Sequence, residues 1–130
     1  LDIKLKFLDQ ETVHRRKIAQ IYLEGIRNPL VQLPYTQEQA VDNLQHVWHL
    51  FVIRTQHREA LQKHLTEHGV QTLIHYPIPP HKQQAYQEWN DLSFPIAEQI
   101  HTEVLSLPMN SILQDDEVQK VIDAINIFKV

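Results

Sequence analysis

The chain contains no cysteine. That one absence excludes disulfides, iron–sulfur clusters, thiolate zinc sites and cysteine nucleophiles, and it is compatible with a reducing cytoplasm. Glycine is almost as scarce, with only Gly25 and Gly69. Neither a GxxxxGK phosphate loop nor a GxGxxG turn can be built from them, so any cofactor phosphate must be held by other means or outside this chain. No apolar run approaches the ~20 residues that cross a bilayer. There is no basic excess either, since 12 Lys plus Arg face 16 Asp plus Glu, a formal charge of -4. That balance argues against a nucleic-acid partner, which requires a basic face. Gly/Ser linkers, internal repeats and low-complexity tracts are lacking as well.

What is present is an ordinary globular balance, 42% apolar and 22% charged over 130 residues. This is one domain's worth of chain, long enough to bury a core. It opens on Leu1 rather than Met and shows no signal-peptide pattern. It therefore reads as a processed chain or a piece of a longer protein.

Apolar spacing predicts a leading helix over Leu5 to Glu24, with Leu8, Ile18, Ile21 and Tyr22 near one stripe and Gly25 as a left-handed cap. Arg15, Arg16 and Lys17 read as its solvated side. Residues 28–43 carry turn signals, and Thr36-Gln37-Glu38-Gln39 could form a capping box. Val47 to Arg54, apolar on both alternating faces, is expected to be a central strand. Arg58 to His68 follows as a helix stopped by Gly69, and Val70 to Tyr76 as a second strand. Pro77, Pro79 and Pro80 then mark an irregular loop, and the residue before Pro77 should stay extended. Gln83 to Trp89 and Phe94 to Leu105 read as helices, and Leu105 to Met109 as a third strand that Pro108 confines to an edge or an end. Asp115 to Phe128 is the clearest helix, with three acids in its first turn. The expected fold is α+β, a small α/β sandwich in which helices pack on a sheet of about three strands. The leading helix has no evident partner within this scheme.

Several residues invite chemical readings. His64 and His68 lie four apart on a helix, a spacing that can hold zinc, but no third ligand accompanies them and they read as solvated. His46 and His49 flank Val47-Trp48, and His49 is expected to be a buried, hydrogen-bonded histidine. Asp115, Asp116 and Glu117 are accounted for by the positive end of their helix. His75-Tyr76-Pro77-Ile78-Pro79-Pro80-His81 differs from these, because it sets two histidines and a tyrosine around a stiff loop at a strand end. Imidazole and phenol there can hydrogen-bond a polar ligand or move a proton near neutral pH. The same residues could equally build a rigid turn with His75 satisfied internally. No serine sits in a nucleophile elbow, and Lys82, the one lysine beside the loop, has no apolar setting that would make it an imine-former.

Taken in order, these segments resemble the DegT/DnrJ/StrS family of sugar aminotransferases. Trp48-His49-Leu50-Phe51-Val52-Ile53-Arg54 is similar to the strand that opens the family's small domain. Gly69 through His81 is similar to its Gly-Ile-x-x-x-x-His-Tyr-Pro-x-Pro-x-His segment, with Pro80 where Leu is usual. Gln84-Ala85-Tyr86, Phe94-Pro95-Ile96-Ala97-Glu98, Glu103-Val104-Leu105-Ser106-Leu107-Pro108-Met109 and Asp116-Glu117-Val118 follow in register. Arg15-Arg16-Lys17-Ile18-Ala19 is similar to a pattern in the family's long helix.

The resemblance implies a fold-type I, pyridoxal-phosphate enzyme that aminates a nucleotide-linked keto-sugar and works as a homodimer. It implies that residues 1–27 are a leading helix from the large-domain junction and residues 28–130 the C-terminal small domain. The Schiff-base lysine and the cofactor site would then lie in the large domain, leaving this chain inactive alone. His75 and Tyr76, and more weakly His81, would border the cleft that receives the amino donor and the nucleotide-sugar. A non-catalytic regulatory or binding module of the same fold, or a dimerisation module, would carry the same motifs.

Overall fold

A computed structural model describes residues 2–35 and 46–130. The expected capping box at Thr36 to Gln39 lies outside them. Among the described residues the elements run α1 (Asp2–Leu5), α2 (Leu8–Gly25), β1 (Phe51–Arg54), α3 (Arg58–Glu67), two 3-10 turns (Pro80–Lys82 and Gln84–Trp89), α4 (Pro95–Glu103), β2 (Val104–Leu107) and α5 (Asp115–Asn126). The arrangement is α+β, as expected, with helices packed on a small sheet.

The predicted leading helix is interrupted at Lys6 and Phe7, and its two ends differ in environment. Ile18, Ala19, Tyr22 and Leu23 are buried, whereas Ile3, Leu5, Phe7, Leu8 and Val13 are exposed. The buried end has a partner within the chain, because α2 packs on α5. Gly25 does not cap the helix in a left-handed conformation. It is the last helical residue, and a Cβ there would lie 2.6 Å from Ile122 Cδ1. Glycine is required for close approach, not for backbone freedom. The basic triplet is also not merely solvated. Arg16 Nε donates to the His46 carbonyl (3.1 Å), Arg15 reaches the His49 carbonyl (3.5 Å), and Lys17 pairs with Asp115 (2.6 Å).

The sheet has two antiparallel strands, with Phe51 opposite Leu107 and Arg54 opposite Val104. Each edge is extended by a single bridge, Gln32 to Arg54 on one side and Leu73 to Ser106 on the other. The expected second strand over Val70 to Tyr76 is thus reduced to Leu73, since the chain turns away just beyond it. The expected strand over Val47 to Arg54 is likewise shorter. Trp48 takes a left-handed conformation (φ 49°), and its N–H donates to His46 Nδ1 (2.9 Å). Its ring folds back into the core against Phe51 (5.4 Å) instead of alternating along a strand. His49 is consequently exposed rather than buried.

The core joins Ile18, Tyr22, Leu23, Phe51, Ile53, Leu61, Leu65, Leu105, Val118 and Ile125, all 2% exposed or less. The terminal helix α5 starts as its acids suggest. Glu117 Oε2 accepts the Gln114 N–H at 2.9 Å, so glutamine precedes the first turn where Ser or Thr is the common cap. Gly69 ends α3 at φ 71°, as its position predicts. The Gly69→Ala variant should lose about 1 kcal/mol, because an L side chain is disfavoured in that region. The added Cβ meets only the movable Lys120 Nζ at 3.0 Å. Urea unfolding checks this, and an unchanged midpoint would show that the conformation is not needed.

Candidate functional site

The site grows from the second bridge. Leu73 and Ser106 exchange both backbone hydrogen bonds (3.2 and 2.8 Å). Two residues further on, His75 is half-buried, and its Nδ1 lies 2.8 Å from the Ser106 hydroxyl. The next residue departs from expectation, for Tyr76 is not extended but left-handed at φ 58°. A residue before proline avoids the right-handed helical region, and the left-handed one is a second way out. The turn is fixed from outside, because His101 Nδ1 donates to the Tyr76 carbonyl. The His101 carbonyl in turn accepts from Arg58 Nη1 at 2.7 Å. This relay ties the start of α3 through the end of α4 to the turn. A bulky residue with positive φ is uncommon, and such strained residues cluster at ligand sites. The outcome is that the Tyr76 ring projects outward, 75% exposed, with the His75 ring 6.4 Å away.

His81 has a different environment. It is 6% exposed, edge-on to Phe94 (4.9 Å), with Nε2 2.9 Å from Glu98 Oε1. The same Glu98 oxygen accepts the Phe94 N–H at 3.0 Å. That backbone bond, then the one to His81, holds the Glu98 carboxyl below the usual glutamate range. Asn90 Nδ2 donates to the His81 carbonyl (2.8 Å), and Lys82 Nζ donates to the Asn90 and Leu92 carbonyls (2.7 and 3.0 Å). His81, Lys82, Asn90 and Glu98 thus form a polar knot that shapes the proline loop. The expected helix over Gln83 to Trp89 is 3-10 and kinks at Tyr86. Around it lie exposed apolar groups, including Ile78, Phe94, Ile96 and the parallel Tyr86–Trp89 stack (4.8 Å, 4°).

His75 and Tyr76 are therefore brought together at an exposed ridge, while His81 is held in the knot beside it. Ser106, His101, Asn90 and Glu98 support them and were not singled out as site residues from sequence. Ser106 left one signal, as the only polar residue of the Leu105-Ser106-Leu107 run. A cleft of about 590 Å³ lies elsewhere. Pro29 to Gln32, Arg54 to His57, Gln99 and Glu103 line it, and none of His75, Tyr76 or His81 does.

At the floor of that cleft Glu103 accepts from Gln99 (2.7 Å) and from Arg54 Nη2 and Nε (2.7 and 3.1 Å). Those bonds, Gln99 first and Arg54 second, hold its carboxyl below the usual range. A lowered carboxyl contributes stability that is complete above the unfolded value of about 4.3 and is lost as pH falls through the lower folded value. Thermal melts should therefore be flat from neutral pH to roughly 5 and decline below roughly 4. The Glu103→Gln variant should show a shallower acid decline than the parent. Parallel curves would show that Glu103 does not carry it.

Elsewhere, His64 Nε2 lies 2.8 Å from the Ala124 carbonyl and His68 Nδ1 2.8 Å from the His64 carbonyl. Among the described residues no group of three or more metal-donor side chains occurs. Among the same residues no helix is long and apolar enough to cross a membrane. All seven lysines are exposed, and Lys82 is committed to two carbonyls. A lysine that forms an imine needs desolvation or a lowered pKa, so these residues do not fit a pyridoxal-phosphate site of their own.

The chain matches known proteins along nearly all its length. Residues 1–126 match the DegT/DnrJ/EryC1/StrS aminotransferase family, and the chain belongs to it. It is 54% identical over 126 residues to the dTDP-3-amino-3,6-dideoxy-alpha-D-galactopyranose transaminase of Aneurinibacillus thermoaerophilus, covering 97% of this chain and 34% of that protein. It is 35% identical to the pleiotropic regulatory protein of Geobacillus stearothermophilus, covering 96% and 34%. The crystal structure of S. venezuelae DesV in complex with a ketimine intermediate aligns with a TM-score of 0.86 at 38% identity, covering 96% of this chain and 33% of that one. The chain spans about a third of the length of these relatives.

Proposed function

We propose that this chain is the C-terminal small domain of a pyridoxal-phosphate-dependent aminotransferase acting on a nucleotide-linked keto-sugar. Residues 1–27 lead in from the large domain and residues 28–130 form the small domain. The observation that carries the reading is the His75-Tyr76 turn, presented on an open ridge by the Ser106 and His101 hydrogen bonds. Family membership and the sugar-transaminase relative support it.

In this reading the cofactor supplies the amino-group chemistry and is held by the large domain, since no lysine here is suited to it. His75 and Tyr76 orient the nucleotide-sugar and the amino donor by hydrogen bonds. His81 contributes by holding the loop that borders them. The exposed apolar groups of α1, early α2 and the proline loop face the large domain or the second subunit of a homodimer. The protein works in the cytoplasm, and the isolated chain is inactive.

The test is an intact mass of the parent gene's full product after pyridoxal phosphate and borohydride. A gain of one reduced cofactor on a lysine upstream of Leu1 supports the reading. A folded product with no adduct overturns it. The weight then moves to a regulatory module without chemistry, the reading that the 35% identical regulatory relative favours.

A further inference from the structure

We infer that Ser106 is a positioning residue that fixes the tautomer of His75, so that the ligand meets an N–H donor there and not a basic lone pair. The inference rests on the proposed role of His75 as a ligand contact and adds what kind of atom it contacts. Ser106 is 4% exposed. Its backbone N–H and carbonyl are both engaged by Leu73 (2.8 and 3.2 Å), so its hydroxyl is planted in the sheet. Among the described residues that hydroxyl has one hydrogen-bond partner, His75 Nδ1 at 2.8 Å.

A buried hydroxyl proton left without an acceptor is costly. If Nδ1 carried the imidazole proton, it would donate to Oγ and leave the serine proton with nowhere to go. With Nδ1 bare, the serine donates to it and both groups are satisfied. A neutral imidazole then carries its proton on Nε2. Nε2 is free of partners among the described residues and belongs to the half-buried ring at the foot of the exposed Tyr76 turn. His75 therefore offers an N–H to the ligand. The matching ligand group is an acceptor oxygen, such as a sugar hydroxyl, carbonyl or phosphate oxygen. A lone pair for general-base work is not on offer at this position.

The tautomer is read by long-range 15N–1H correlation on the full-length protein labelled at histidine, with His75 assigned from a His75→Gln sample. The expected result is a single Nε2–H tautomer in the parent, retained in Ser106→Thr and lost to a mixture in Ser106→Ala. An Nδ1–H tautomer in the parent overturns the proposal without any variant having to fold. With the full-length enzyme, Ser106→Ala should raise KM for the sugar substrate roughly threefold to tenfold with little change in kcat, and Ser106→Thr should restore it. If His75→Ala raises KM and Ser106→Ala does not, the positioning role fails while the ligand role of His75 stands. If neither moves KM, the ligand role itself fails.

Discussion

Replacing Phe51 with alanine should come close to unfolding the domain. Phe51 is fully buried at the start of β1, with the Tyr22 ring 4.9 Å away on one side and Trp48 5.4 Å away on another. Truncating a buried phenylalanine costs about 3–5 kcal/mol in lost transfer energy and residual cavity. Losing two aromatic pairs adds about 0.5–1.5 kcal/mol for each. A domain of this size has a net stability of only about 5–15 kcal/mol, so the loss takes most of it. The measurement is urea unfolding at neutral pH. A loss below about 1.5 kcal/mol would mean that Tyr22 and Trp48 close over the gap, and that this stack is not the centre of the core. Tyr22→Phe provides the contrast, because it keeps the ring and removes only the hydroxyl bond to the Pro108 carbonyl (2.9 Å). Its cost should be about 1 kcal/mol.

The second large effect is on activity. On the proposed function, His75→Ala in the full-length protein should lower kcat/KM roughly tenfold to a hundredfold, the range for losing an oriented donor to a charged or strongly polar ligand group. Stability should fall by only about 1 kcal/mol, the cost of leaving the Ser106 hydroxyl unpaired. His75 is half-buried and outside the hydrophobic core, so little packing is lost with it. Steady-state kinetics per folded molecule, read beside a melting curve, separates the two. A large drop in melting temperature with unchanged kcat/KM would make His75 a structural residue.

The parts of the fold legible in the sequence were those set by local rules. Helix α5 declared itself through Val118, Val121, Ile122 and Ile125 at helical spacing and acids in its first turn, and all four apolar groups are buried. Gly69 ended α3 where expected. The misreadings came from tertiary contacts that no local window contains. Val47 to Leu50 reads as strand by hydropathy, but the Trp48 ring gains more by folding onto Phe51 than by alternating along an edge. Gly25 looked like a cap because glycine commonly is one, whereas its cause is Ile122 on a distant helix. Tyr76 read as extended because proline follows, and the bond from His101, 25 residues away, turned it instead. The site followed the same division. His75 and Tyr76 stand out by residue type and by the prolines beside them, but their supports Ser106 and His101 come from β2 and α4, and their link to the site exists only through space.

Between Gln71 and Thr102 the only buried residue is His81, a histidine on a carboxylate rather than an apolar side chain. This stretch is fastened to the rest of the chain by the Leu73–Ser106 bridge, the His75–Ser106 bond, Arg58 on the His101 carbonyl and the half-buried Ile74 against the core, and held within by the His101–Tyr76 bond and the Asn90, Lys82 and Glu98 hydrogen bonds. Beyond Ile74 its stability is therefore set mainly by polar contacts, apart from the hydrophobic core. In native-state hydrogen exchange the amides of Lys82, Gln83, Tyr86 and Asn90 should exchange through local opening while those of α2, β1 and α5 exchange only when the whole domain unfolds. The His75–Tyr76 ridge, the proposed ligand contact, thus belongs to a unit with its own, lower free energy of opening. Binding energy gained at His75 and Tyr76 would appear first as slowed exchange across that unit, well before it registers in the core.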